Sequence, residues 1–232
     1  MKRILLKLSG EALSHDSGEL YDAAFADEVA ASLVKAKEKG YEIGLVIGAG
    51  NIWRGRQSAE MDRQTADRMG MLATVINSLY MKDAIIRAGA DCVVMSSVPM
   101  APMAEDYSAE TARKYLGEGK IVIFGCGLGI PFLSTDTAGA VRAAEIEADA
   151  MLMAKNVDHI YTDDPRKNPN AKKLEIVKAS EVLAMNLKAI DATATAFCLS
   201  TGMPVRVFGL KDPSDILRAI EGECVGTVIT AE

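Results

Sequence analysis

Seven short β-favouring runs recur along the chain, and most of them are apolar without interruption: Arg3–Leu8, Glu42–Ile47, Cys92–Met95, Ile121–Phe124, Ala150–Met153, Val205–Phe208 and Val225–Ile229. A strand with one wet face alternates apolar and polar residues, whereas an unbroken apolar run suits a strand covered on both faces. Helical patterns separate the runs, so neighbouring strands can be joined by right-handed crossovers. The expected fold is α/β: a three-layer α/β/α sandwich with a mainly parallel central sheet. No internal repeat and no linker rich in Gly, Ser or Pro divides it, so residues 1–232 read as a single domain.

The intervening stretches carry helix cues. Residues 22–39 align Phe25, Val29 and Leu33, with Asp22, Asp27 and Glu28 early, Lys35, Lys37 and Lys39 late, and Gly40 as the stop. Residues 66–88 place Leu72, Val75, Ile76, Leu79 and Ile86 on a helical period before Gly89. Asp212-Pro213 with Asp215 reads as a cap, a first-turn proline and an acidic third position. The polar stretch Thr162–Lys173, with two prolines, reads as a surface loop.

Composition removes several classes of function. With 25% charged residues, 49% apolar residues and a net charge of −6, the chain lacks the basic face that nucleic acid requires. An anion site must therefore come from backbone amides and a few cations. The four cysteines, Cys92, Cys126, Cys198 and Cys224, have neither Cys-x-x-Cys spacing nor companion histidines, and read as small core residues in a reducing compartment. The first residues, MKRILLKLSGEAL, are too charged for a signal peptide, and no stretch approaches a membrane span. A cytoplasmic protein with no membrane or nucleic-acid partner is expected.

In an open α/β sheet, ligands gather at the carboxyl ends of the strands. Four of the runs end in chemistry-bearing loops: Ser9-Gly10 just after Lys7, GAGNIWRG at Gly48–Gly55, GCGLGIPFLSTDTAG from Gly125, and AKNVDHIYTDDP from Ala154. Their glycines let amides converge on an anion, and Thr135-Asp136 opens a helix whose terminal amides can add to the site. Lys7 can neutralise phosphate charge, and Arg54 can clamp a phosphate bidentately. Taken singly, each has an ordinary role: the glycines as tight turns, Lys7 as a snorkelling side chain, Arg54 as a solvated one. By the same default Asp67 is a first-turn dipole partner, Trp53 a packing residue and Tyr161 a loop anchor. The functional reading rests on their coincidence along one edge.

With only His15 and His159, each alone in sequence, a Ser-His-Asp triad or a histidine-rich metal site is disfavoured, and no Walker A or G-x-G-x-x-G loop is in register. Phosphoryl transfer to a phosphate needs no general base, because the acceptor's second pKa is about 6. Its demands are in-line positioning and charge neutralisation.

The segments KLSGEAL, GAGNIWRG, ADRMGMLATVINSLYMKDA, GIPFLSTDTAG, EADAMLMAKNVDHIYTDDP, SEVL and PVRVFG run in order along nearly the whole chain. Together they resemble the bacterial uridylate kinases of the amino-acid-kinase fold, and the Asp-Arg-Met-Gly-Met-Leu-Ala-Thr stretch points to the uridylate branch. The resemblance implies MgATP + UMP → ADP + UDP, a step of pyrimidine nucleotide biosynthesis, with the N-terminal part mainly on the UMP side and the C-terminal part mainly on the ATP side. The catalytic residues it implies are Lys7, Arg54, Asp136 and Asp191. Lys7, Leu8, Ser9 and Gly10 would wrap the ATP phosphates together with Gly50 and Arg54, while Tyr161, Asp164 and either Asn156 or Lys155 would line the adenosine. UMP would meet Ala49, its ribose would meet Asp67, and the loop Leu128, Gly129, Ile130, Pro131, Phe132, Leu133, Ser134 and Thr135 would cradle the nucleotide. No protein metal cage is implied, since Mg2+ arrives on ATP. A homohexamer, activated by GTP and inhibited by UTP, is also implied.

This chain has Ala49 where such kinases commonly carry a third glycine, and Leu128-Gly129-Ile130-Pro131 where they carry Thr-Gly-Asn-Pro. A carboxylate or carbamate kinase of the same fold, and a non-catalytic nucleotide sensor or storage protein, stand as the alternatives.

Overall fold

The computed structural model describes every residue except Met1, residues 15–18 and 54–59, Asp164, Arg166, Lys188 and Glu232. In chain order the elements are β1 (Arg3–Leu8), α1 (Gly10–Ser14), α2 (Ala23–Glu38), β2 (Glu42–Ile47), α3 (Arg63–Arg87), β3 (Cys92–Ser96), β4 (Glu105–Asp106), α4 (Ala109–Gly117), β5 (Ile121–Gly125) and α5 (Thr135–Glu145). They continue with β6 (Ala150–Lys155), β7 (Ile160–Tyr161), β8 (Lys173–Leu174), β9 (Ile176–Lys178), α6 (Ala179–Ala184), α7 (Ala192–Thr201), β10 (Val205–Gly209), α8 (Ser214–Glu221) and β11 (Thr227–Thr230).

Nine strands form one sheet in the order β4-β3-β5-β2-β1-β6-β10-β11-β9. All neighbours are parallel except β10 and β11. Period-two alternation divides the apolar strands between two cores. Ile4, Leu6 and Leu8 pack with α2, α3 and α8, whereas Leu5, Met151 and Met153 pack with α4, α5 and α7. The α/β/α layering follows from strands that have no wet face to offer.

Of the seven expected strands, β1 and β2 form with the expected bounds and β3, β5, β6 and β10 run one or two residues longer. The last starts at Thr227 rather than Val225, because Gly226 (φ 72°) has Val207 O and Phe208 Cα packed against it, and only beyond that bend can β11 pair antiparallel with β10. Four short strands, β4, β7, β8 and β9, go beyond the sequence expectation, since runs of two or three residues carry no readable period. The expected surface loop Thr162–Lys173 ends one residue early, since Lys173 belongs to β8 and pairs antiparallel with Tyr161 of β7.

Asp22 caps α2 by accepting from Phe25 N at 3.0 Å, and Phe25, Val29 and Leu33 are buried. Asp212 accepts from Ser214 N at 2.8 Å just before α8, but the cap position falls on Pro213, one residue later than the sequence suggested, with Asp215 in the first turn as expected. In α3 the apolar stripe is only partly buried: Val75 is inside and Leu79 packs against the core. Leu72, Ile76 and Ile86 are about half exposed, while Ala73, Thr74, Val75, Asn77, Ser78, Met81, Ala84 and Ile85 face inward. Small and polar residues occupy that inner face because α3 supports a loop as well as a core. Of the cysteines, Cys126 and Cys198 are buried, but Cys224 is exposed and so is not the core residue expected; all four are free thiols. Among the described residues, no helix is long and apolar enough to cross a membrane.

Candidate active site

The strand ends of β1 and β6, with the start of α5, form the floor of a cleft of about 1040 Å³. Lys7 pairs in register with Met153, so Lys7 and Lys155 leave the sheet on the same face, the one α5 covers. Asp136 in the first turn of α5 lies between them: Lys7 Nζ is 2.9 Å from Oδ1 and Lys155 Nζ is 2.6 Å from Oδ2. All three side chains are largely buried. Burial by itself would raise the Asp136 carboxyl, but the Lys7 and Lys155 charges outweigh it and hold the group at about 2. Lys155 is drawn below the ordinary lysine value, chiefly by burial, with Lys7 reinforcing and Asp136 opposing. One carboxylate thus serves two ammoniums, and the surplus positive charge lies beside the positive end of α5.

Asp191 braces that end. It caps α7 by accepting from Ala194 N at 2.9 Å, and it accepts from the hydroxyls of Ser134 and Thr137 on the neighbouring helix. Ser134 in turn caps α5, accepting from Asp136 N at 3.0 Å and Thr137 N at 3.2 Å.

The GAGNIWRG turn is pressed against the β1–α1 junction. A Cβ on Gly10 would lie 2.4 Å from Gly48 O, so the two backbones touch only because Gly10 has no side chain. Asn77, 0% exposed on the inner face of α3, locks the turn by donating to Gly48 O at 2.7 Å and Asn51 Oδ1 at 2.8 Å. Tyr21 completes the lock, its hydroxyl donating to Asn77 Oδ1 at 2.9 Å. The Trp53 indole N–H donates to Ala66 O at 2.9 Å, fastening the far end of the turn to α3.

Asp67 is not in the first turn of α3. The helix begins at Arg63, capped by Asp62, which moves Asp67 into the second turn on the cleft wall. Arg63 Nε meets its two oxygens at 2.9 and 2.8 Å, and Phe132 N donates to Oδ2 at 2.9 Å. Asp67 thereby ties α3 to the β5–α5 loop. That loop contains Cys126, Gly127, Gly129 and Phe132 at positive φ and exposes Ile130, Phe132 and Leu133.

Among the residues singled out in the sequence, Lys7, Ser9, Asp67, Asp136 and Asp191 share the cleft wall with Ile130, Leu133, Ser134 and Thr135. Asn156 and Tyr161 line its other side, near the β7–β8 hairpin. Leu8 is fully buried and its carbonyl accepts from Gly48 N at 2.9 Å, so its side chain cannot reach a ligand. Gly10, Ala49 and Gly50 belong to the two packed turns, and Leu128, Gly129, Pro131 and Phe132 to the β5–α5 loop; none of these is on the wall itself. Arg54, Asp164 and His15 lie outside the described residues.

Several groups come to light only in three dimensions. Lys155, open in the sequence as an adenosine contact, aims at Asp136 instead. Glu11 accepts from Asn156 Nδ2 at 2.9 Å and so joins the first loop to the one after β6. Asp158 shapes the hairpin side: Tyr161 Oη donates to it at 2.9 Å and Lys173 Nζ at 2.5 Å. Burial opposes ionisation there, but these bonds keep Asp158 well below the usual carboxylate range. A lysine ending a buried strand was the one readable sign of Lys155; the others depend on distant partners.

Among the described residues, no group of three or more His, Cys, Asp and Glu side chains could hold a metal ion. Asp136 and Asp191 are engaged by lysines, hydroxyls and an amide. The arrangement is equipped to fix anions: two buried cations, a capped helix start and two glycine-rich turns converge, with a bracing carboxylate behind them.

Known proteins share this architecture. A UMP kinase from Bacillus anthracis superimposes with a TM-score of 0.95 at 36% identity, covering 100% of this chain and 96% of that one. A UMP kinase from Ureaplasma parvum gives 0.92 at 34% identity, covering 99% and 98%. A uridylate kinase from Archaeoglobus fulgidus, 24% identical with a TM-score of 0.75, shares the fold over 99% of this chain. Residues 2–209 match the amino acid kinase family, and the chain belongs to that family.

Proposed function

We propose that this protein is an ATP-dependent UMP kinase, moving the γ-phosphoryl group of ATP to the phosphate of UMP to release ADP and UDP. The observation that carries the reading is the Lys7–Asp136–Lys155 cluster on the floor of a cleft with two differently built sides. Family membership supports the kinase chemistry, and the two structures above 30% identity, both UMP kinases, support the acceptor. A volume of about 1040 Å³ exceeds what one small ligand usually fills, roughly 300–1,000 Å³.

The mechanism follows from the charges. The UMP phosphate is largely a dianion at neutral pH and attacks without a general base. Two polyanions must then be held in line against their repulsion, which is the work of fixed cations and amides. Lys7 and Lys155 meet the transferring group, and Asp136 holds both ammoniums in place. Asp191 keeps the starts of α5 and α7 in position. On the donor side Ser9, Gly10 and Gly50 approach the ATP phosphates with Arg54, while Asn156, Tyr161 and Asp164 flank adenosine. On the acceptor side Ala49, Asp67 and the loop 128–135 hold UMP, so the N-terminal part serves mainly UMP and the C-terminal part mainly ATP. Magnesium enters as part of the substrate MgATP.

The half-exposed Leu72, Ile76 and Ile86 on α3 suit burial against further copies in a cytoplasmic homohexamer. GTP activation and UTP inhibition belong to the same reading. An ADP-release assay over UMP, CMP, carbamate and acetylglutamate tests it, with and without GTP and UTP. UMP should be the preferred acceptor; equal rates with all four would reject the reading, and nucleotide binding without turnover would favour a sensor.

A further inference from the structure

The β5–α5 loop is attached at three places, two of which, Asp67 and Thr74, are on the cleft wall. The third is Ser97, just after β3. Its hydroxyl donates to Gly127 O at 2.7 Å and accepts from Arg142 Nη2 at 2.8 Å. The single hydroxyl proton is committed to Gly127, so only a pure donor suits the remaining position, and a guanidinium is one. The backbones meet as well: Gly129 (φ 81°) lies so close that a Cβ there would stand 3.1 Å from Ser97 O.

Arg142 is fixed in turn. It is 4% exposed, its Nη1 donates to the Glu145 carboxylate, and its guanidinium stacks 3.6 Å from the centre of the Tyr107 ring. Tyr107 Oη donates to the same carboxylate at 2.6 Å. These contacts hold the guanidinium through Nη1, Nη2 and its face, while its buried Nε has no hydrogen-bond partner. Neither Ser97, Arg142, Tyr107 nor Glu145 is on the cleft wall, so none is placed to touch a substrate. Arg142 is six residues beyond Asp136 on α5, about 9 Å along the axis. One rigid helix therefore sets both the floor carboxylate and, through Ser97, the loop.

We propose that Ser97 and Arg142 are positioning residues for the acceptor nucleotide, fixing the loop 127–133 relative to the Lys7–Asp136–Lys155 floor. The inference rests on the UMP kinase reading. Ser97→Ala tests it. Because it leaves Arg142 Nη2 without that acceptor, a modest loss of stability is expected, and the decisive readout is the split between the two KM values. The substitution should raise KM for UMP about fivefold, the effect of one hydrogen bond, with KM for ATP and kcat within about twofold. Amide hydrogen exchange at residues 127–133 should quicken while α3 stays protected, and Ser97→Thr, which keeps the hydroxyl, should restore both measures. An unchanged KM for UMP would overturn the proposal. So would parallel rises in both KM values with a lowered thermal midpoint, the mark of a merely structural residue. If the wild type does not use UMP, the kinase reading fails instead, and unchanged loop exchange in Ser97→Ala would then overturn the brace separately.

Discussion

The cleft floor and the acceptor-side loop place their groups by opposite means. On the floor, Lys7 and Lys155 are delivered by adjacent buried strands, and Asp136 by the first turn of a capped helix. The loop has little regular structure of its own, and borrows its shape from Asp67, Ser97 and Thr74, the last accepting from Cys126 N at 2.9 Å. Charge that must not move is mounted on the sheet, and the surface that must fit a particular acceptor is held by bonds that can change without disturbing the core. Floor variants should therefore act on kcat and stability, and loop variants on the acceptor's KM.

The largest effect is expected from Lys7→Ala, which removes a buried cation beside the transferring group. By analogy with loss of a fixed transition-state donor, kcat should fall by roughly 10²–10³-fold or more, with both KM values changed far less. Lys7→Arg should not rescue it, because a planar guanidinium cannot occupy the place of a compact ammonium 2.9 Å from Asp136. Near-normal turnover in Lys7→Ala would remove the floor from the mechanism. Asp136→Asn leaves two ammoniums buried without their shared counterion, and should cost roughly 3–5 kcal/mol of stability, read by denaturant unfolding.

Asp67→Ala probes the other region. It removes a carboxylate that accepts from Phe132 N and pairs with Arg63, so the loop loses one anchor. KM for UMP should rise roughly 10–100-fold, the range for a hydrogen bond to a charged group, with KM for ATP nearly constant. A fall in kcat at unchanged KM would erase the distinction between floor and loop.

The pH profile separates protein from substrate. The Asp136 pKa is depressed, so its stabilising contribution is complete above the ordinary carboxylate range and is lost only as pH falls through about 2. Asp136 therefore cannot limit activity in mildly acidic solution. The acid limb of kcat/KM for UMP should follow the substrate phosphate, near pH ~6, and should move down with a phosphorothioate acceptor of lower second pKa. On the alkaline side Lys155, drawn below the usual lysine value by burial, should lose its proton before an exposed lysine would.

The same contrast explains what could be read from the sequence. Lys7 and Asp136 were legible because each belongs to a local pattern: a lysine at the end of an apolar run, and an acid in a helix's first turn. The strand order and the pairing of Asp136 with both lysines depend on which strands become neighbours, and no local signal encodes that. Ser97 and Arg142 are 45 residues apart and Asp191 is 57 from Ser134, so nothing in either neighbourhood announces the partner. The exposed part of the α3 stripe has the same origin. Leu72 and Ile76 look like core by period, yet the inward positions belong to Thr74 and Asn77, which serve the loop and the turn.

Trp53 should give the smallest effect. Its indole N–H to Ala66 O fastens the end of the GAGNIWRG turn to α3, and α3 is already tied to that turn through Asn77. Trp53→Phe keeps an aromatic ring beside Gly70, which approaches the indole edge, and loses the hydrogen bond with a small part of the ring's contact area. The cost should be about 1 kcal/mol, a drop of roughly 2–4 °C in Tm for a chain of this size. Turnover should stay within about twofold, since Asn77 alone still holds the carbonyl of Gly48 and the side chain of Asn51. A large loss of kcat at an unaltered Tm would mean that the anchor matters beyond packing. It would then be fixing where the chain departs towards Arg54, the next residue, and the turn would join the floor as a charge-placing device.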